Sequence, residues 1–445
     1  MDEAAASGAR RRIVIIGAGF AGLSAARSLA DAPVEITLID RHNYHLFQPL
    51  LYQVATAGLS PADIAAPIRG ILRRQRNARV ILGYVSAVNM AARTVCVEGR
   101  LIAYDSLIIA TGARHAYFGH DAWAEHAPGL KTIYDATYLR RRILLAFEKA
   151  ETETDEAERH ALLTFIVVGG GPSGVEMAGA IIELAKKALA RDFRTIDPRA
   201  TRVVLIESGK RVLASFDPSL SEAALRSLRR LGVDVRLGEP VTDCAAHCVM
   251  IGAETIPART IVWAAGVRAS RAGKWLRAET DHAGKVKVGP DLSVPGNPDI
   301  FVIGDTALAL GADGTPLPGV APVAKQQGQY VAALLAARAR GADLPPFRYR
   351  DYGSLATIGR KSAVAQFGRL KITGLAAWLL WGMAHVYFLI GFRNRVAVVV
   401  NWLWHYVTFQ GGTRLITGLS GGDMDDMAPS PAAVAARPDK APSAI

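Results

Sequence analysis

Cysteine is scarce in this sequence, whose 445 residues contain only Cys96, Cys244 and Cys248. Three unevenly spaced thiols cannot form a disulfide framework, and they are consistent with a reducing compartment. Charged residues make up only 21% of the chain, whereas half of the residues are hydrophobic and the mean hydropathy is +0.18. This composition excludes a disordered chain or a coiled coil and predicts a large buried core.

The N-terminus has no separate apolar segment. Residues 1–12 lead directly into the apolar run 13–16, which leaves no room for the hydrophobic region of a signal peptide. We therefore expect most of the chain to stay in the cytoplasm or its equivalent. At about 150 residues per domain, the length predicts two or three domains.

A glycine-rich motif occurs twice, each time between an apolar strand and a helix rich in small residues. In the first copy, IVIIGAGFAGLSAA, Gly17, Gly19 and Gly22 form G-x-G-x-x-G. The first glycine permits the tight turn, the second lets a pyrophosphate approach the backbone, and the third lets the helix pack on the strand. Asp40, 23 residues after Gly17, ends the next strand as a ribose-binding carboxylate should. The alternative is a tight turn with a solvated aspartate.

The second copy is IVVGGGPSGVEMAGAI, in which Gly169, Gly171 and Gly174 repeat the pattern. Glu207 ends the following strand, 38 residues after Gly169 because a basic insertion lengthens the connection. An acid at this position binds a free 2′-hydroxyl and repels a 2′-phosphate, so NADH is favoured over NADPH. The neighbouring basic residues 210–211 weaken that preference.

Glu176 comes two residues after Gly174. The pattern predicts that it lies in the first turn of the helix and points toward the nucleotide. The alternative is a carboxylate that only stabilises the positive end of the helix dipole. Two nucleotide sites in one chain imply a tightly bound flavin and a diffusible nicotinamide, because hydride transfer needs a donor ring and an acceptor ring.

No cysteine pair lies where a flavin disulfide reductase needs one, since residues 41–61 contain none. Cys244 and Cys248 form C-x-x-x-C around His247, within a stretch whose pattern predicts short β-strands away from both reactive rings. A metal site would need more ligands. We therefore expect a structural role for these thiols and no metal centre.

Several segments together resemble the type II NADH:quinone oxidoreductases over residues 12–418. They are the two glycine motifs, HNYHLFQPLLYQVATAGLSPADIA, GDTA and DYGSLATIGRKSAVAQFG. The resemblance implies an α/β fold with two Rossmann-like dinucleotide-binding domains and a C-terminal membrane-attachment region. The expected bounds are 10–118 with 285–335 for FAD, 119–284 for NADH, 336–418 for membrane attachment and the quinone side, and 419–445 for a disordered tail.

The resemblance also implies which residues bind each ligand. Non-covalent FAD would contact Gly17, Gly19, Phe20, Ala21, Gly22, Asp40, Arg41, Gln48, Pro49, Ala110, Thr111, Gly112, Gly304 and Asp305. The substrate NADH would contact Gly169, Gly171, Pro172, Ser173, Gly174, Glu176, Glu207 and Gly266. A family motif for quinone, A-Q-x-x-x-Q, falls on 321–326 with proline in place of its first glutamine, so the quinone candidates are Pro322, Lys325, Gln326 and Lys361. Glu176 and Gln326 are the candidate catalytic residues, and a satisfied helix-surface amide is the alternative for Gln326.

The positive charge is concentrated near the C-terminus. Residues 338–418 carry eleven Lys or Arg and two Asp, within a chain of net charge +12. This region also holds the uncharged run 372–391 and four of the seven tryptophans, at 378, 381, 402 and 404. Cations with apolar aromatics favour an anionic lipid surface over nucleic acid. We expect interfacial attachment with the tryptophans at headgroup depth; a single span and a buried dimerisation surface are the alternatives, and a homodimer stays open.

These features predict transfer of two electrons from NADH through FAD to a membrane quinone such as ubiquinone in a respiratory chain, without proton pumping. The expected location is the cytoplasmic face of the inner (cell) membrane. One alternative is a soluble NADH-dependent flavoprotein reductase of a redox partner protein. Another is a basic, flavin-loaded protein that binds nucleic acid, but the charge lies where the apolar surface is.

Overall fold

The computed structural model describes residues 10–408 and 413–418. The predicted tail, 419–445, lies outside these residues. The chain divides into two compact units. The first unit comprises Met1–Leu46, Ala65–Ala116 and Val267–Tyr352, and the second comprises Phe47–Ile64, Tyr117–Gly266 and Gly353–Ile445, each within the described residues.

The strands are named in chain order. They are β1 (Arg11–Ile16), β2 (Val34–Asp40), β3 (Tyr44–Leu46), β4 (Ala65–Pro67), β5 (Ala78–Leu82), β6 (Val85–Asn89), β7 (Thr94–Val97), β8 (Arg100–Ala103), β9 (Ser106–Ile109), β10 (Ala113–His115), β11 (Thr164–Val168), β12 (Arg202–Glu207), β13 (Val233–Leu237), β14 (Val241–Ala245), β15 (Cys248–Ile251), β16 (Glu254–Pro257), β17 (Thr260–Trp263), β18 (Val267–Ala269), β19 (Val286–Lys287), β20 (Ser293–Val294), β21 (Asn297–Val302), β22 (Ala307–Leu308), β23 (Ser354–Gly359), β24 (Ser362–Phe367) and β25 (Leu370–Thr373).

The α-helices are named in the same way. They are α1 (Phe20–Ser28), α2 (Leu51–Ala55), α3 (Pro61–Ile64), α4 (Ile68–Leu72), α5 (Ile133–Thr152), α6 (Glu156–Leu162), α7 (Pro172–Glu183), α8 (Pro218–Leu231), α9 (Ala272–Leu276), α10 (Ala321–Arg338), α11 (Gly374–Phe388) and α12 (Phe392–Thr408).

The first unit is built on a six-stranded sheet in the order β20-β21-β9-β1-β2-β5. All neighbouring strands are parallel except β20 and β21. The central strands are continuous apolar runs because both faces of a parallel sheet are covered. Small residues let α1 and α10 approach closely: a Cβ on Gly328 would lie 2.2 Å from the Ala21 carbonyl oxygen.

The second unit repeats this arrangement with the parallel order β13-β12-β11-β17. The repeat predicted from the glycine motifs is therefore present in the fold. An antiparallel sheet, β23-β24-β25, packs on α7. The contact is close because Gly179 has no side chain, and a Cβ there would lie 1.8 Å from the Ile358 carbonyl oxygen.

The bounds of the two units differ from the expected domain bounds in several places. Residues 117–118 belong to the second unit, and the C-terminal region from Gly353 is part of that unit and not a separate one. Residues 47–64 belong to the second unit because α2 packs on α5 and α7. Residues 267–284 belong to the first unit, where β18 pairs with β10. Residues 336–352 also belong to the first unit, and the Tyr330 hydroxyl donates to the Pro345 carbonyl at 2.8 Å.

The C-terminal apolar run is not one continuous helix. Within 372–391, α11 has 15 residues and ends at Phe388, and the backbone at Leu389 is extended. Among residues 10–408 and 413–418, no helix combines the length and apolarity needed to cross a membrane. The run that qualified as a spanning candidate by length is therefore divided between the end of β25 and a shorter helix.

The tryptophans of this region differ from the expectation of headgroup depth. Trp381 is buried, and its ring centroid lies 4.4 Å from that of His385 and 5.3 Å from that of Trp402. The Trp402 Nε1 donates a hydrogen bond to Gln53 Oε1 at 2.8 Å. Trp378 is partly buried, so only Trp404 among the four is mostly exposed. Two of these indoles therefore belong to the packing of the second unit.

Candidate active site

The first glycine turn connects β1 to α1. Gly17 has φ +100°, and a Cβ there would lie 2.3 Å from the Ala110 carbonyl oxygen. At Gly22 a Cβ would lie 1.9 Å from the Gly17 carbonyl oxygen, so only glycine lets the helix come this close. Gly19 differs, because no atom of the described residues lies within 4 Å of its Cβ position. That open space lies in front of the helix N-terminus, where a pyrophosphate would approach.

Asp40 closes this turn from the end of β2. One carboxylate oxygen accepts the Ala18 N–H at 2.6 Å, and the other accepts the His42 N–H at 2.7 Å. A carboxylate oxygen has further lone pairs, so Asp40 can also accept hydrogen bonds from ribose hydroxyls. Both carboxylate oxygens of Asp40 bind the backbone and the residue is partly buried, so Asp40 is not the solvated aspartate considered as the alternative.

The second turn, between β11 and α7, has the same geometry. Gly169 has φ +112°, and a Cβ on Gly174 would lie 1.8 Å from the Gly169 carbonyl oxygen. Within the part of the chain that the structure describes, no atom lies within 4 Å of the Cβ position of Gly171. Glu207 accepts the N–H of Gly170 at 2.6 Å with one oxygen and the N–H of Gly209 at 2.6 Å with the other. The two turns that repeat in the sequence therefore also share the same pair of hydrogen bonds from backbone N–H groups to an acidic side chain.

The FAD candidates from the resemblance divide between the two units. Gly17 to Gly22, Asp40, Arg41 and the turns 110–112 and 304–305 lie in the first unit, whereas Gln48 and Pro49 lie in the second. The turn of Thr111 is fixed by its hydroxyl, 2.5 Å from the Ser270 hydroxyl. The Gly304 N–H donates to Gln327 Oε1 at 2.6 Å. The Gln48 amide donates to the Lys131 carbonyl at 3.2 Å.

His45 is a candidate binding residue that the motif reasoning missed. It is buried on β3 with Nδ1 2.9 Å from the Ala18 carbonyl oxygen, and its ring meets Phe20 edge to face. Burial lowers the pKa of His45. Because a carbonyl only accepts, Nδ1 carries the proton of the neutral ring, and Nε2 is an acceptor. This Nε2 is buried with no partner among the described residues.

The unsatisfied His45 Nε2 fits a bound dinucleotide beside the first turn. A buried acceptor without a donor is costly, and a hydroxyl or amino group of FAD would supply the donor. The open face of Gly19 and the carboxylate of Asp40 fit the same ligand. The sequence contains HNYHLF, but only the packing distinguishes His45 from His42.

Glu176 occupies the fifth position of α7, so the prediction that it lies in the first turn is wrong. The helix begins at Pro172, immediately after the Gly171 cap. Burial raises the pKa of Glu176 to about 8, although the Thr357 N–H, 3.4 Å away, opposes the shift. The carboxyl group is therefore mostly protonated at neutral pH and can donate a proton.

A hydrogen-bond chain leads from α12 toward Glu176. Trp402 Nε1 donates to the side-chain oxygen Oε1 of Gln53, and the Gln53 side-chain NH₂ donates to the Tyr52 hydroxyl at 2.9 Å. Tyr52 is buried on α2, and burial together with the Glu176 charge raises its pKa. Sequence reasoning did not single out Tyr52 or Gln53, because neither belongs to a glycine motif.

The quinone candidates are placed as follows. Pro322 is the second residue of α10. The Gln326 amide donates to the Arg350 carbonyl at 2.9 Å and accepts the Arg350 N–H at 3.0 Å, which is the satisfied arrangement considered as its alternative. Lys325 is also on α10 in the first unit, whereas Lys361 lies in the second, at φ +61° in the turn between β23 and β24.

Cys244 and Cys248 lie in the predicted meander, on β14 and β15. Ala245 is opposite Cys248, and Cys244 is opposite Val249. Opposite residues share a face and neighbours alternate, so the two thiols point to different faces of the sheet. Burial raises the pKa of Cys244 to about 12, which makes its thiol inert. No cluster of metal-ligating side chains occurs within 10–408 and 413–418.

Known proteins resemble this chain in both sequence and fold. The family model "Pyridine nucleotide-disulphide oxidoreductase" matches residues 11–328, and "NDH2 C-terminal domain" matches 352–408. The chain is 47% identical to the type II NADH:quinone oxidoreductase NdhA of Mycobacterium tuberculosis, over 93% of this chain and 90% of the relative. It is 46% identical to Ndh of the same organism, over 92% and 90%. The solved structure of NDH2 from Plasmodium falciparum in complex with NADH has a TM-score of 0.82 at 20% identity, covering 92% of this chain and all of that one.

The fold and its paired glycine turns define a two-dinucleotide flavoprotein oxidoreductase. Its cofactor is FAD, and its reductant is NADH. The match to NDH2-type proteins continues past the segments that carry the two glycine turns, from β23 to α12 of the second unit. The chain belongs to the type II NADH:quinone oxidoreductase family.

Proposed function

We propose that the protein oxidises NADH in the second unit and reduces a membrane quinone by way of FAD held in the first. The observation that carries this assignment is the repeated glycine turn with an acidic strand end, Asp40 in one unit and Glu207 in the other. Bound FAD would supply two-electron chemistry, accepting hydride from NADH and releasing electrons to quinone. The protein groups bind, orient and shield the reactants.

The assignment is tested by steady-state oxidation of NADH and NADPH in detergent, with ubiquinone and menaquinone analogues as acceptors. We expect reduction of at least one quinone, and NADH preferred because the Glu207 carboxylate repels a 2′-phosphate. If every quinone failed as an acceptor while a small redox protein succeeded, the protein would be a reductase of that partner.

For FAD we propose the first-unit residues 17–22, 40–41, 110–112 and 304–305, with Gln48 and Pro49 on the isoalloxazine side, and we add His45. For NADH we propose 169–174, Glu176, Glu207 and Gly266. On the quinone side we propose Pro322, Lys325, Gln326 and Lys361. Both hydrogen-bonding ends of the Gln326 amide are used by Arg350, which supports a role in shaping the site. The protonated Glu176 supports a role as proton donor.

His45→Asn should weaken FAD binding about five- to tenfold, the loss of about one hydrogen bond. Asparagine keeps a donor near the Nδ1 position, for the Ala18 carbonyl, but places no atom at Nε2. The measurement is the dissociation constant of FAD from the reconstituted apoprotein. His45→Gln, with an oxygen near the Nε2 position, should recover part of the loss, whereas His120→Phe, on the second unit, should change nothing.

We further propose that α11 and α12 attach the protein to anionic lipid at the cytoplasmic face of the membrane. Support comes from large apolar side chains left exposed on both helices, which are Leu375, Leu379, Met383, Tyr387, Phe388, Phe392, Val396, Val399, Val400, Leu403 and Trp404. Arg369 and Arg393 are exposed beside them. Two other cations are already engaged, because Lys371 pairs with Asp217 at 2.6 Å and Arg395 donates to the Tyr387 and Leu389 carbonyls at 2.8 Å.

Val400→Glu with Leu403→Glu should abolish sedimentation with anionic vesicles while oxidation of NADH by a soluble dye persists. Two charges would have to enter the lipid interface in place of apolar side chains. Leu101→Glu is the matched control, since Leu101 in the first unit is 71% exposed and Leu403 is 62% exposed. Unchanged sedimentation of the double variant would contradict lipid attachment. Ultracentrifugation of both variants reports on the alternative, a homodimer that covers this face.

A further inference from the structure

Phe118 is an exposed aromatic side chain held in a strained backbone conformation. Its residue is 69% exposed, although phenylalanine is normally buried. Its φ is +52°, and Gly119 follows with φ +97°. Positive φ is unusual for a bulky residue, and such strain is concentrated at functional sites. We therefore expect a specific contact to hold the Phe118 ring in this position.

That contact is Gly266 in the same unit. A Cβ on Gly266 would lie 2.7 Å from Cζ of Phe118, and its three nearest atoms would all belong to the Phe118 ring. Gly266 does not have a positive φ, so its backbone conformation does not require glycine. The residue is glycine because the Phe118 ring occupies the place of a side chain.

The Phe118 ring lies beside a cluster of aromatic side chains centred on Trp263. The Phe118 centroid lies 6.4 Å from that of Trp263, which also meets Tyr117 at 5.0 Å and Trp123 at 5.7 Å. The Trp123 Nε1 is fixed by a hydrogen bond of 2.9 Å to Asp243. These packed aromatic side chains hold the Phe118 ring in one position at the exposed edge of the cluster.

Strand order indicates which part of NADH would meet this ring. Glu207, at the carboxyl end of β12, marks the adenosine ribose, and the turn between β11 and α7 marks the pyrophosphate. The order β13-β12-β11-β17 then leaves the carboxyl end of β17 for the nicotinamide half. Gly266 lies three residues after the last residue of β17, Trp263.

We infer that Phe118 is a binding residue for the nicotinamide half of NADH, with its ring packed against the nicotinamide or its ribose. The inference rests on the proposed function of the second unit as the NADH site. An exposed ring at this place supplies a flat apolar surface that does not depend on the adenosine contacts of Glu207.

Phe118→Ala should raise the KM for NADH about three- to tenfold, with the KM for quinone unchanged. The same holoenzyme should bind NAD⁺ more weakly by a similar factor in titration calorimetry, a measurement without turnover. Phe118→Tyr keeps the ring and should behave like the unmodified protein. Tyr134→Ala is the matched control, because Tyr134 is 75% exposed on α5 of the same unit and has no role in the site.

Gly266→Ala provides a second, independent test of the role of Phe118. Alone it should displace the ring and weaken NAD⁺ binding, whereas in the Phe118→Ala background its effect should be much smaller, because the ring is what the new Cβ would meet. Unchanged NAD⁺ affinity in Phe118→Ala with a lowered melting temperature would overturn the inference and make the ring structural. Absence of NAD⁺ binding by the unmodified protein would instead contradict the proposed function.

Discussion

Gly171→Ala should weaken NADH binding by about tenfold or more without destabilising the protein. Gly171 caps α7 with φ −71°, a value that alanine adopts freely, and nothing lies within 4 Å of its Cβ position. The methyl group would therefore cost the folded chain little. It would instead fill the space in which the pyrophosphate must approach the backbone. The measurements are the KM for NADH, the FAD content and the melting temperature.

The first turn offers the matched variant. Gly19 caps α1 with φ −70° and equally open surroundings, so Gly19→Ala should lower FAD affinity and leave NAD⁺ binding to the second unit unchanged. Gly174→Ala is the contrasting case. Its Cβ would lie 1.8 Å from the Gly169 carbonyl oxygen, so this substitution should destabilise the second unit itself. If Gly171→Ala lowered FAD content and Gly19→Ala weakened NAD⁺ binding, the assignment of the two sites would be reversed.

Glu176→Gln should change how stability depends on pH. The pKa of Glu176 is raised from 4.5 to about 8 by burial, so between these values the folded protein holds a proton that the unfolded chain releases. Stability from this group is complete below pH 4.5, falls as pH rises, and is lost above about 8. Glutamine is neutral throughout. The variant should therefore gain stability over the native protein with rising pH, by at most about 5 kcal/mol at pH 9 relative to acid pH.

The experiment is urea unfolding of both proteins at intervals from pH 5 to pH 9. Comparison of the two curves isolates Glu176 from Glu183, whose pKa is also raised by burial on the same helix. Glu222→Gln is the control, because Glu222 is an exposed carboxylate of α8 that pairs with Arg226 at 2.6 Å. Parallel curves for the native protein and Glu176→Gln would show that Glu176 is charged in the folded state and would remove its role as a proton donor.

Local motifs predicted much of the nucleotide-binding architecture, because their chemistry is carried by neighbouring residues. Gly17 and Gly169 adopt the positive φ that the pattern requires, and Asp40 and Glu207 close their turns with the same pair of backbone hydrogen bonds. The start of α7 is predicted less accurately than these turns. Glu176 was expected in the first turn, but α7 begins at Pro172 and places it in the second.

The C-terminal region shows where hydropathy alone is insufficient. Trp402 and Trp404 are two residues apart in the same apolar run, yet Trp402 bonds to Gln53 and Trp404 is exposed. Likewise Arg393 and Arg395 are both exposed, but Arg395 also donates hydrogen bonds to carbonyls at the end of α11. Which side of a helix meets the protein depends on a partner far along the chain, and composition does not contain that partner.

The sequence by itself determined two dinucleotide turns with acidic strand ends, the absence of paired reactive thiols, and the basic, apolar character of the C-terminus. Each follows from residue type and short spacing. Tertiary structure alone decided that His45 has a buried Nε2 without a partner among the described residues, that burial raises the pKa of Glu176, and that Phe118 lies against Gly266. Burial and close approach between distant segments set these properties, and they arise only when the chain is folded.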